Sequence, residues 1–346
     1  MVKNQAEEIR GYLLAKIPVH PKNIVAQASK DFSCSRTTVH RHLNRLHRDG
    51  KIIKSGTTRQ AQYFLKTDKN KEIYISLENK IEEHKVWQEN FRKDFEILPE
   101  NIFKICEHGF LEMLNNAIDH SESTGVVIET KWESNSVTIK ISDGGVGIFK
   151  KIKRTLNLKD ERESALHLSK GKFTTDPDNH TGEGIFFTSR FFDDFHIHSK
   201  QIIYRRFNLD HDWFVESEKG SSKPGTGVWM KIALDSKRKM QEVYEQYQGE
   251  DSDGVQSFDK THFHIVLSKL GDERYVSRSQ ARRIVLGLEK FKHVVLDFKD
   301  ISSVGQGFVD EVFRVFQSKY PKIKIEYTKA NDDVRFMIER SLPSAV

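Results

Sequence analysis

The chain has 346 residues, of which 31% are charged and 37% are hydrophobic, with seven prolines. This length predicts two or three domains, and the composition argues against a low-complexity chain. No apolar run approaches the ~18 residues of a membrane span, and the first residues lack the apolar core of a signal peptide. The two cysteines, Cys34 and Cys106, suit a reducing compartment and provide no metal-site spacing. We therefore expect a cytoplasmic protein with no membrane association.

Positive charge is concentrated at the N-terminal end. Residues 1–66 carry 13 Lys and Arg against four Asp and Glu, a net charge of +9, whereas the whole chain carries +6. The remaining residues are therefore net negative. This asymmetry indicates that the first fifth of the chain meets a polyanion.

The first 66 residues are predicted to form three helices and a hairpin. The first two helices are expected at Ala6–Leu14 and from Pro21 onward. The third helix begins at Ser35, a typical N-cap residue, and ends before Gly50, a typical C′ residue. Its buried stripe is Val39, Leu43 and Leu46, and its outer face is Arg36, Thr37, His40, Arg41 and Asn44. Two strands follow, within residues 51–56 and 60–65, on either side of Arg59.

In order and size, these elements resemble a winged helix-turn-helix domain. The resemblance implies that the third helix enters the major groove of DNA. The residues expected to meet bases or phosphates are Arg36, Thr37, His40, Arg41 and Asn44, with Arg59 of the wing on the backbone or minor groove. A winged helix that binds protein is the alternative, and the basic excess favours DNA.

Residues 67–98 are predicted to be a connector that contains a charged helix. Apolar residues at helical spacing form a seam along it: Ile81, Val86, Trp87 and Phe91. Two alternatives remain open. The seam pairs with its copy in a dimer, or it packs on the following domain of the same chain.

The segment Glu112–His120 is predicted to be an amphipathic helix, with Leu111, Leu114 and Ile118 on its buried face. Glu112 and Asn116 are four residues apart and lie on one face, with Asp119 one turn further on. An amide oxygen of Asn116 can bind Mg²⁺, and Glu112 can accept a proton from a water or hydroxyl. The alternative is an ordinary solvated helix face.

Three glycine-containing segments follow. A half-buried strand, Val137–Ser142, ends at Asp143, before Gly145 and Gly147. Gly182 and Gly184 precede a predicted helix over residues 185–192, whose N-terminus would favour an anion. Thr226 stands at the start of a strand over residues 228–233, where it can hydrogen-bond through water to Asp143. Alone, the Asp143 segment is more typical of an ordinary turn, the pair of Gly182 and Gly184 is weak evidence, and the Thr226 segment is typical of a strand opening.

In this order, the four segments resemble the N, G1, G2 and G3 boxes of the GHKL ATPase superfamily, over roughly residues 99–236. The resemblance implies a Bergerat-type α/β sandwich that binds ATP and Mg²⁺, and by analogy a homodimer. It implies that Glu112 is the base, Asn116 the Mg²⁺ ligand and Asp143 the residue that reads adenine. Further ATP-binding positions are Asp119, Gly145, Gly147, Gly182, Gly184 and Thr226.

The stretch from Phe149 to His180 would then be the ATP lid, with Thr174 and Thr175 close to the phosphates. Two of its lysines, Lys170 and Lys172, are candidate phosphate contacts. The alternative is that they are solvated lysines in a mobile loop.

Residues 237–260 are predicted to be a polar linker. Beyond it, strands and helices alternate, which predicts a small α/β layer domain over residues 261–346. The expected strands are 262–267, 294–298 and 323–327, and the expected helices are 279–288, 308–316 and 334–339.

The run Val294–Glu311 resembles a STAS-like family of uncharacterised function, distantly related to anti-sigma-factor antagonists. The resemblance implies a module that binds a protein partner. Ser302 and Ser303 lie near the place of the phosphorylatable serine that the antagonists carry, although the flanking pattern differs. They are interpreted either as phosphate acceptors or as the cap of a helix.

Together, these predictions describe a multidomain protein of α/β and α+β class. Its expected parts are a winged helix (1–66), a helical connector (67–98), a Bergerat-type ATPase (99–236), a linker (237–260) and a STAS-like domain (261–346). The favoured function is a DNA-binding regulator in which ATP binding or hydrolysis changes conformation. The alternatives are a serine kinase of the anti-sigma-factor type and a scaffold that binds ATP without turnover. A histidine kinase is disfavoured because His84 and His108 lack suitable flanking residues.

Overall fold

The computed structural model describes most of the chain. The described residues are 2–20, 22–55, 61–65, 70–133, 135–174, 182–207, 211–216, 224–250, 256–265 and 275–342. Arg59 and Thr175, which were singled out in the sequence, lie outside these ranges. Within them, no helix combines the length and the apolar character needed to cross a bilayer.

The N-terminal unit contains three helices and a hairpin, as predicted. They are α1 (Val2–Lys16), α2 (Ile24–Asp31), α3 (Arg36–Arg48), β1 (Ile52–Ser55) and β2 (Gln62–Leu65). The strands pair antiparallel, with Ile52 opposite Leu65. The unit has its own hydrophobic core, to which each helix contributes and which includes the predicted stripe of Val39, Leu43 and Leu46.

Both ends of α3 follow from its sequence. The Ser35 hydroxyl accepts a hydrogen bond from the Thr38 backbone N–H at 3.1 Å, which confirms the predicted N-cap. Gly50 has φ +69° and donates to the His47 carbonyl, while the next residue, Lys51, donates to the Leu46 carbonyl. This is the Schellman arrangement, and it fixes the direction of the chain leaving the helix.

The largest layer is a seven-stranded sheet in which every neighbouring pair is antiparallel. Its strands are β3 (Lys71–Ser76), β4 (Gly125–Trp132), β5 (Ser136–Asp143), β6 (Asp194–Ser199), β7 (Ile202–Phe207), β8 (His211–Glu216) and β9 (Gly227–Ala233). Their order is β3-β4-β5-β9-β6-β7-β8. Burial alternates along β5, so one face of the sheet carries the core.

Helices cover that face. They are α4 (Glu83–Asn90), α5 (Arg92–Phe95), α6 (Glu100–His120), α7 (Ile148–Leu156), α8 (Glu163–Lys170) and α9 (Gly184–Phe191). The long helix α6 buries Ile102, Ile105, Cys106, Gly109, Phe110, Met113, Leu114 and Ala117. Of the predicted buried face, Leu114 is fully buried, whereas Leu111 and Ile118 are only partly buried at its margin. The difference arises because the buried stripe is centred on Cys106, Phe110, Met113 and Ala117, so Leu111 and Ile118 lie beside it.

The connector is part of this layer. Trp87 and Phe91 are each 1% exposed and pack their rings on Phe110 of α6. The seam therefore packs within its own chain. Strand β3 was not predicted, because its alternating residues lie among charged neighbours at the sheet edge, where Tyr74 is exposed.

The segment expected to be a polar linker is instead structured. It contains α10 (Met240–Tyr247), β10 (Gln248–Glu250) and β11 (Gln256–Phe258). Tyr247 and Phe258 are buried against Phe186 and Phe187 of α9. Its few apolar residues pack against aromatic residues that are distant in the sequence. The average composition of the segment is polar and therefore wrongly indicated a linker.

The last unit has a parallel sheet, in the order β12 (Lys260–His264), β13 (His293–Asp297) and β14 (Lys324–Thr328). Its helical segments are α11 (Arg278–Val285), a 3₁₀ turn (Leu288–Lys290), α12 (Gln306–Val309), a π-helical stretch (Asp310–Phe316), α13 (Gln317–Lys319) and α14 (Asp332–Ser341). The alternation agrees with the predicted α/β layer. Its core is continuous with that of the seven-stranded sheet.

Ser302 and Ser303 do not cap a helix in this unit. Helix α12 begins three residues later, with Gly305 at its N-cap position and no side-chain cap. Both serines are exposed, and the Ser302 carbonyl accepts a hydrogen bond from the Asn331 side chain at 2.9 Å. The helix-cap interpretation is therefore wrong, because α12 begins beyond both serines, with Gly305 at its N-cap position.

Candidate functional site

Helix α6 carries the first two site residues. Glu112 and Asn116 are both partly exposed and lie one turn apart, next to Met113 and Ala117, which face the core. Because the buried stripe fixes the rotation of the helix, the carboxylate and the carboxamide are directed into the same cavity. Asp119 is exposed and does not line that cavity.

The pairing of β5 with β9 brings the next two residues together. Ser142 lies opposite Gly227, so Asp143 and Thr226 are adjacent just beyond the ladder. The Asp143 backbone N–H donates to the Thr226 carbonyl at 2.9 Å. In return, the Thr226 backbone N–H donates to Oδ1 of Asp143 at 3.3 Å. Asp143 and Thr226 are thus joined directly through the backbone, and the Thr226 hydroxyl accepts from the Ile148 N–H at 3.0 Å. The expected link through water stays a prediction.

Asp143 is a partly buried carboxylate with one occupied oxygen. Oδ1 also accepts from the Gly145 N–H at 2.8 Å, and among the described residues Oδ2 receives no hydrogen bond. Burial raises the pKa of the Asp143 carboxyl, and the two backbone donors oppose that rise. Oδ2 is therefore available to a donor on a ligand.

Two glycines are required by close approach. A Cβ on Gly145 would overlap the backbone carbonyl of Ser121, which accepts from the Val146 N–H at 2.9 Å. A Cβ on Gly184 would lie 3.2 Å from Cδ of Glu112 and closer still to its Oε2. The absence of a side chain at Gly184 thus lets the Glu112 carboxylate approach the N-terminus of α9.

These elements enclose a cavity of about 330 Å³. Eight residues singled out in the sequence line it: Glu112, Asn116, Asp143, Gly147, Thr174, Gly182, Gly184 and Thr226. Gly145 stands behind the lining, in contact with Asp143. The cavity also has an apolar wall, formed by Ile141, Ile148, Ile152 and Val228 among others. Its volume and mixed lining are typical of small-molecule sites.

Neither lysine expected to contact phosphate lines the cavity. The ammonium of Lys170 donates to the carbonyls of Arg283 and Leu286, at 3.2 Å and 2.9 Å. That of Lys172 donates to the Lys290 carbonyl at 3.0 Å. The alternative of solvated lysines in a mobile loop is wrong for Lys170, because all eight residues of α8 are buried.

Sequence reasoning missed a lysine that does line the cavity. Lys151 on α7 donates to the His120 carbonyl at 2.8 Å and contacts the Glu122 carboxylate at 3.3 Å. The signal was present in the spacing, because Lys151 follows Ile148 by three residues and therefore shares its helix face. His120, at the end of α6, lines the cavity as well.

A second carboxylate and a phenol lie near the site. Burial raises the pKa of Glu183, the N-cap residue of α9, against the opposing charge of Lys172. Burial also raises the pKa of Tyr244, assisted by the negative charges of Glu112 and Glu183. The α9 end of the cavity is therefore acidic, which suits a cation better than a bare anion.

The N-terminal unit presents a separate polar surface. The five residues predicted to contact DNA are all exposed: Arg36, Thr37, His40, Arg41 and Asn44. His40 is also within 3.3 Å of the Tyr63 hydroxyl on β2, which ties this face to the hairpin.

Comparison with known proteins informs only the last unit. No curated protein matches the chain. Residues 280–335 match the family described as a STAS-like domain of unknown function (DUF4325). The match begins within α11 and ends within α14, so it covers β13 and β14 with the helices around them. The chain therefore carries a STAS-like domain.

Proposed function

We propose that this protein is an ATP-binding regulator whose pocket is of the GHKL type and whose N-terminal unit is a DNA-binding winged helix. One observation carries the nucleotide part. Four sequence segments, spread over more than a hundred residues, contribute lining residues to a single cavity, with polar side chains from three of them. A chance set of turns and a solvated helix face would not converge in this way.

The lining fits a purine nucleotide. The branched aliphatic wall of Ile141, Ile148, Ile152 and Val228 suits a flat base. Asp143 at the end of β5 offers Oδ2 as an acceptor for the exocyclic amino group of adenine. Both features lie on the same side of the cavity, because Ile141 and Asp143 share a strand.

Glu112 and Asn116 suit the phosphate end. The Asn116 amide oxygen and water are hard ligands of the kind that Mg²⁺ prefers, and bound Mg²⁺ would neutralise phosphate charge. The Glu112 carboxylate is placed to accept a proton from an attacking water. Gly184, beside it, adds backbone N–H groups at the start of α9.

The position of the STAS-like domain favours a switch over phosphorylation of its own serines. The domain contacts the pocket wall through Lys290, on the side where β13 begins. Ser302 and Ser303 follow the opposite end of β13, about 13 Å along a strand of this length. A serine on a separate partner protein remains compatible with the pocket.

DNA binding is proposed from charge and exposure. Residues 1–66 carry a net charge of +9, and the predicted contact residues of α3 lie on its exposed face. Phosphate neutralisation by such a face gives an affinity that falls steeply with salt. We propose that nucleotide in the pocket changes this affinity through the connector, whose Trp87 packs on α6.

Asp143→Asn tests the nucleotide proposal. In the variant, the side-chain oxygen of the new asparagine can still accept the hydrogen bonds from the Gly145 and Thr226 N–H groups. Its NH₂ group then replaces Oδ2, so that it faces the amino group of adenine, and two donors cannot hydrogen-bond to each other. We expect ATP affinity, measured by calorimetry, to fall at least about tenfold. The matched control is Asp235→Asn, beyond the other end of β9, which should bind like the wild type.

Two results would contradict the proposal. A wild-type protein that binds no ATP would refute the nucleotide function itself. Equal ATP affinity in Asp143→Asn and the wild type would refute the assigned orientation of the base. DNA binding is followed in parallel by the fluorescence anisotropy of a labelled duplex, with and without ATP.

A further inference from the structure

One short segment forms both a wall of the cavity and a contact with the STAS-like domain. Leu168, Gly171, Phe173 and Thr174 line the cavity. The residues between them, Lys170 and Lys172, extend to the opposite side. We refer to residues 168–174 as the shared wall.

Lys170 is held by the end of a helix. Lys170 is 2% exposed, and its ammonium donates to the carbonyls of Arg283 and Leu286, in the last turn and at the C-cap of α11. Those carbonyls lack intrahelical partners and form the negative end of the helix dipole. The Lys170 carbonyl in turn accepts from the buried Thr261 hydroxyl at 2.6 Å. Both ends of the residue are therefore bound.

Lys172 and Lys290 are bound reciprocally. Each ammonium donates to the backbone carbonyl of the other residue at 3.0 Å. Lys172 also lies 3.5 Å from the Asp259 carboxylate and over the Phe291 ring. Its φ is +53°, a conformation that is uncommon for a residue with a side chain. The docking contacts on both sides of Lys172 help to stabilise this conformation of the shared wall.

The cavity is short of positive charge while this docking holds. Among the described lining residues, Lys151 is the only lysine or arginine, and it is already bound to His120 and Glu122. Glu112 and Asp143 contribute carboxylates. A polyphosphate in the cavity would thus meet a single lysine, Lys151, which already has partners. Two further lysines, Lys170 and Lys172, belong to the shared wall but extend away from the cavity.

We propose that the STAS-like domain is an inhibitory clasp on the cavity. When docked, it withholds Lys170 and Lys172 from the phosphates of a nucleotide. When it is released, the two ammonium groups are free to turn toward the cavity. Phosphate binding and docking then oppose each other, so a partner that pulls the STAS-like domain away would increase nucleotide affinity. This inference rests on the proposed nucleotide function.

The test weakens the clasp from the STAS-like side and leaves both wall lysines intact. Lys290→Ala removes one of the two reciprocal bonds at an exposed residue, so the fold should survive. Thr261→Val, with a side chain of similar shape, removes the bond to Lys170 and is the second variant. The control is Arg314→Ala, which removes one positive charge from an exposed residue elsewhere in the domain.

Calorimetry on the full chain compares ATP with adenosine. We expect Lys290→Ala and Thr261→Val to bind ATP about fivefold more tightly or better, and adenosine with unchanged affinity, because adenosine has no phosphate. Arg314→Ala should match the wild type for both ligands. Amide hydrogen exchange at residues 163–174 should accelerate in the two variants, and in the wild type when ATP is added.

The outcomes separate the two proposals. If the wild type binds ATP but both variants bind it with equal or lower affinity, the clasp is refuted and the nucleotide function stands. An equal gain for adenosine would also refute it, because the wall would then act by shape and not through its lysines. Absence of ATP binding in every protein would refute the nucleotide function, and the clasp with it.

Discussion

The contact between Gly184 and Glu112 allows a sharp test of the proposed base. In Gly184→Ala, the new Cβ would overlap Oε2 of Glu112 and lie 3.2 Å from its Cδ. Real Cβ atoms essentially never approach another heavy atom within 3.0 Å, so one of the two groups must move. The group in the way is the carboxylate at the far end of the Glu112 side chain, whereas the backbone of Gly184 belongs to α9. We therefore expect the carboxylate to retreat by about 1 Å.

We expect Gly184→Ala to slow ATP turnover and to leave the stability of the fold nearly unchanged. Moving Glu112 off its rotamer costs roughly 0.5–1.5 kcal/mol. Gly184 is the first residue of α9 and its φ is not positive, so alanine fits the backbone there and the free energy of unfolding should change little. A displacement of about 1 Å in a catalytic group can reduce the rate by roughly 100-fold. Gly184→Ala should therefore remain folded and bind ATP, with phosphate release slowed by about that factor.

The assay is steady-state phosphate release with Mg²⁺ and saturating ATP, alongside calorimetric binding. Gly11→Ala is the matched control, because a Cβ there meets nothing within 4 Å. Gly145→Ala is the contrasting variant, since its Cβ would overlap the Ser121 backbone, which cannot step aside. We expect it to lose stability. Wild-type turnover in Gly184→Ala would refute the assignment of Glu112 as the base.

Two further predictions concern the N-terminal face and the clasp. Arg41→Ala should weaken binding to any DNA duplex and reduce the slope of log affinity against log salt by about 1, measured by anisotropy; an unchanged slope would remove Arg41 from the interface. Burial lowers the pKa of Lys170 from 10.5 to about 7, against the opposing effects of Glu289 and Glu163. The unfolded chain then binds more protons above pH 7, so the free energy of unfolding should rise from pH 7 toward 10.5, by at most about 1.4 kcal/mol per pH unit. The free energy of unfolding, measured with urea at several pH values, should show this rise in the wild type and not in Lys170→Met. The same pH dependence in both proteins would contradict the prediction.

Features encoded by neighbouring residues were predictable. The ends of α3 follow from Ser35 and Gly50, whose effects extend over one helical turn. The alternation leading to Asp143 likewise specifies a strand with one buried face, without reference to the rest of the chain. Local rules of this kind placed Glu112 and Asn116 on one helix face and Asp143 at a strand end, and all three line the cavity.

Features that depend on distant contacts were not predictable. The partners of Lys170 lie 113 and 116 positions further along the chain. A lysine beside a glycine gives no local sign of whether it meets phosphate, water or a helix C-terminus. The same holds for α10, whose Tyr247 is buried only because the aromatic rings of α9 are beside it.

The burial of Lys170 is itself an argument that docking is reversible. A permanent interface gains nothing from a buried ammonium, since apolar side chains of similar volume are often equally or more stable there. Two carbonyls and the Phe263 ring, 5.6 Å away, compensate only part of the lost hydration. If the STAS-like domain is released for part of the time, the Lys170 ammonium regains its hydration in the released state. Lys170→Met should therefore tighten docking and weaken ATP binding together, whereas a purely structural lysine would change stability without changing ATP affinity.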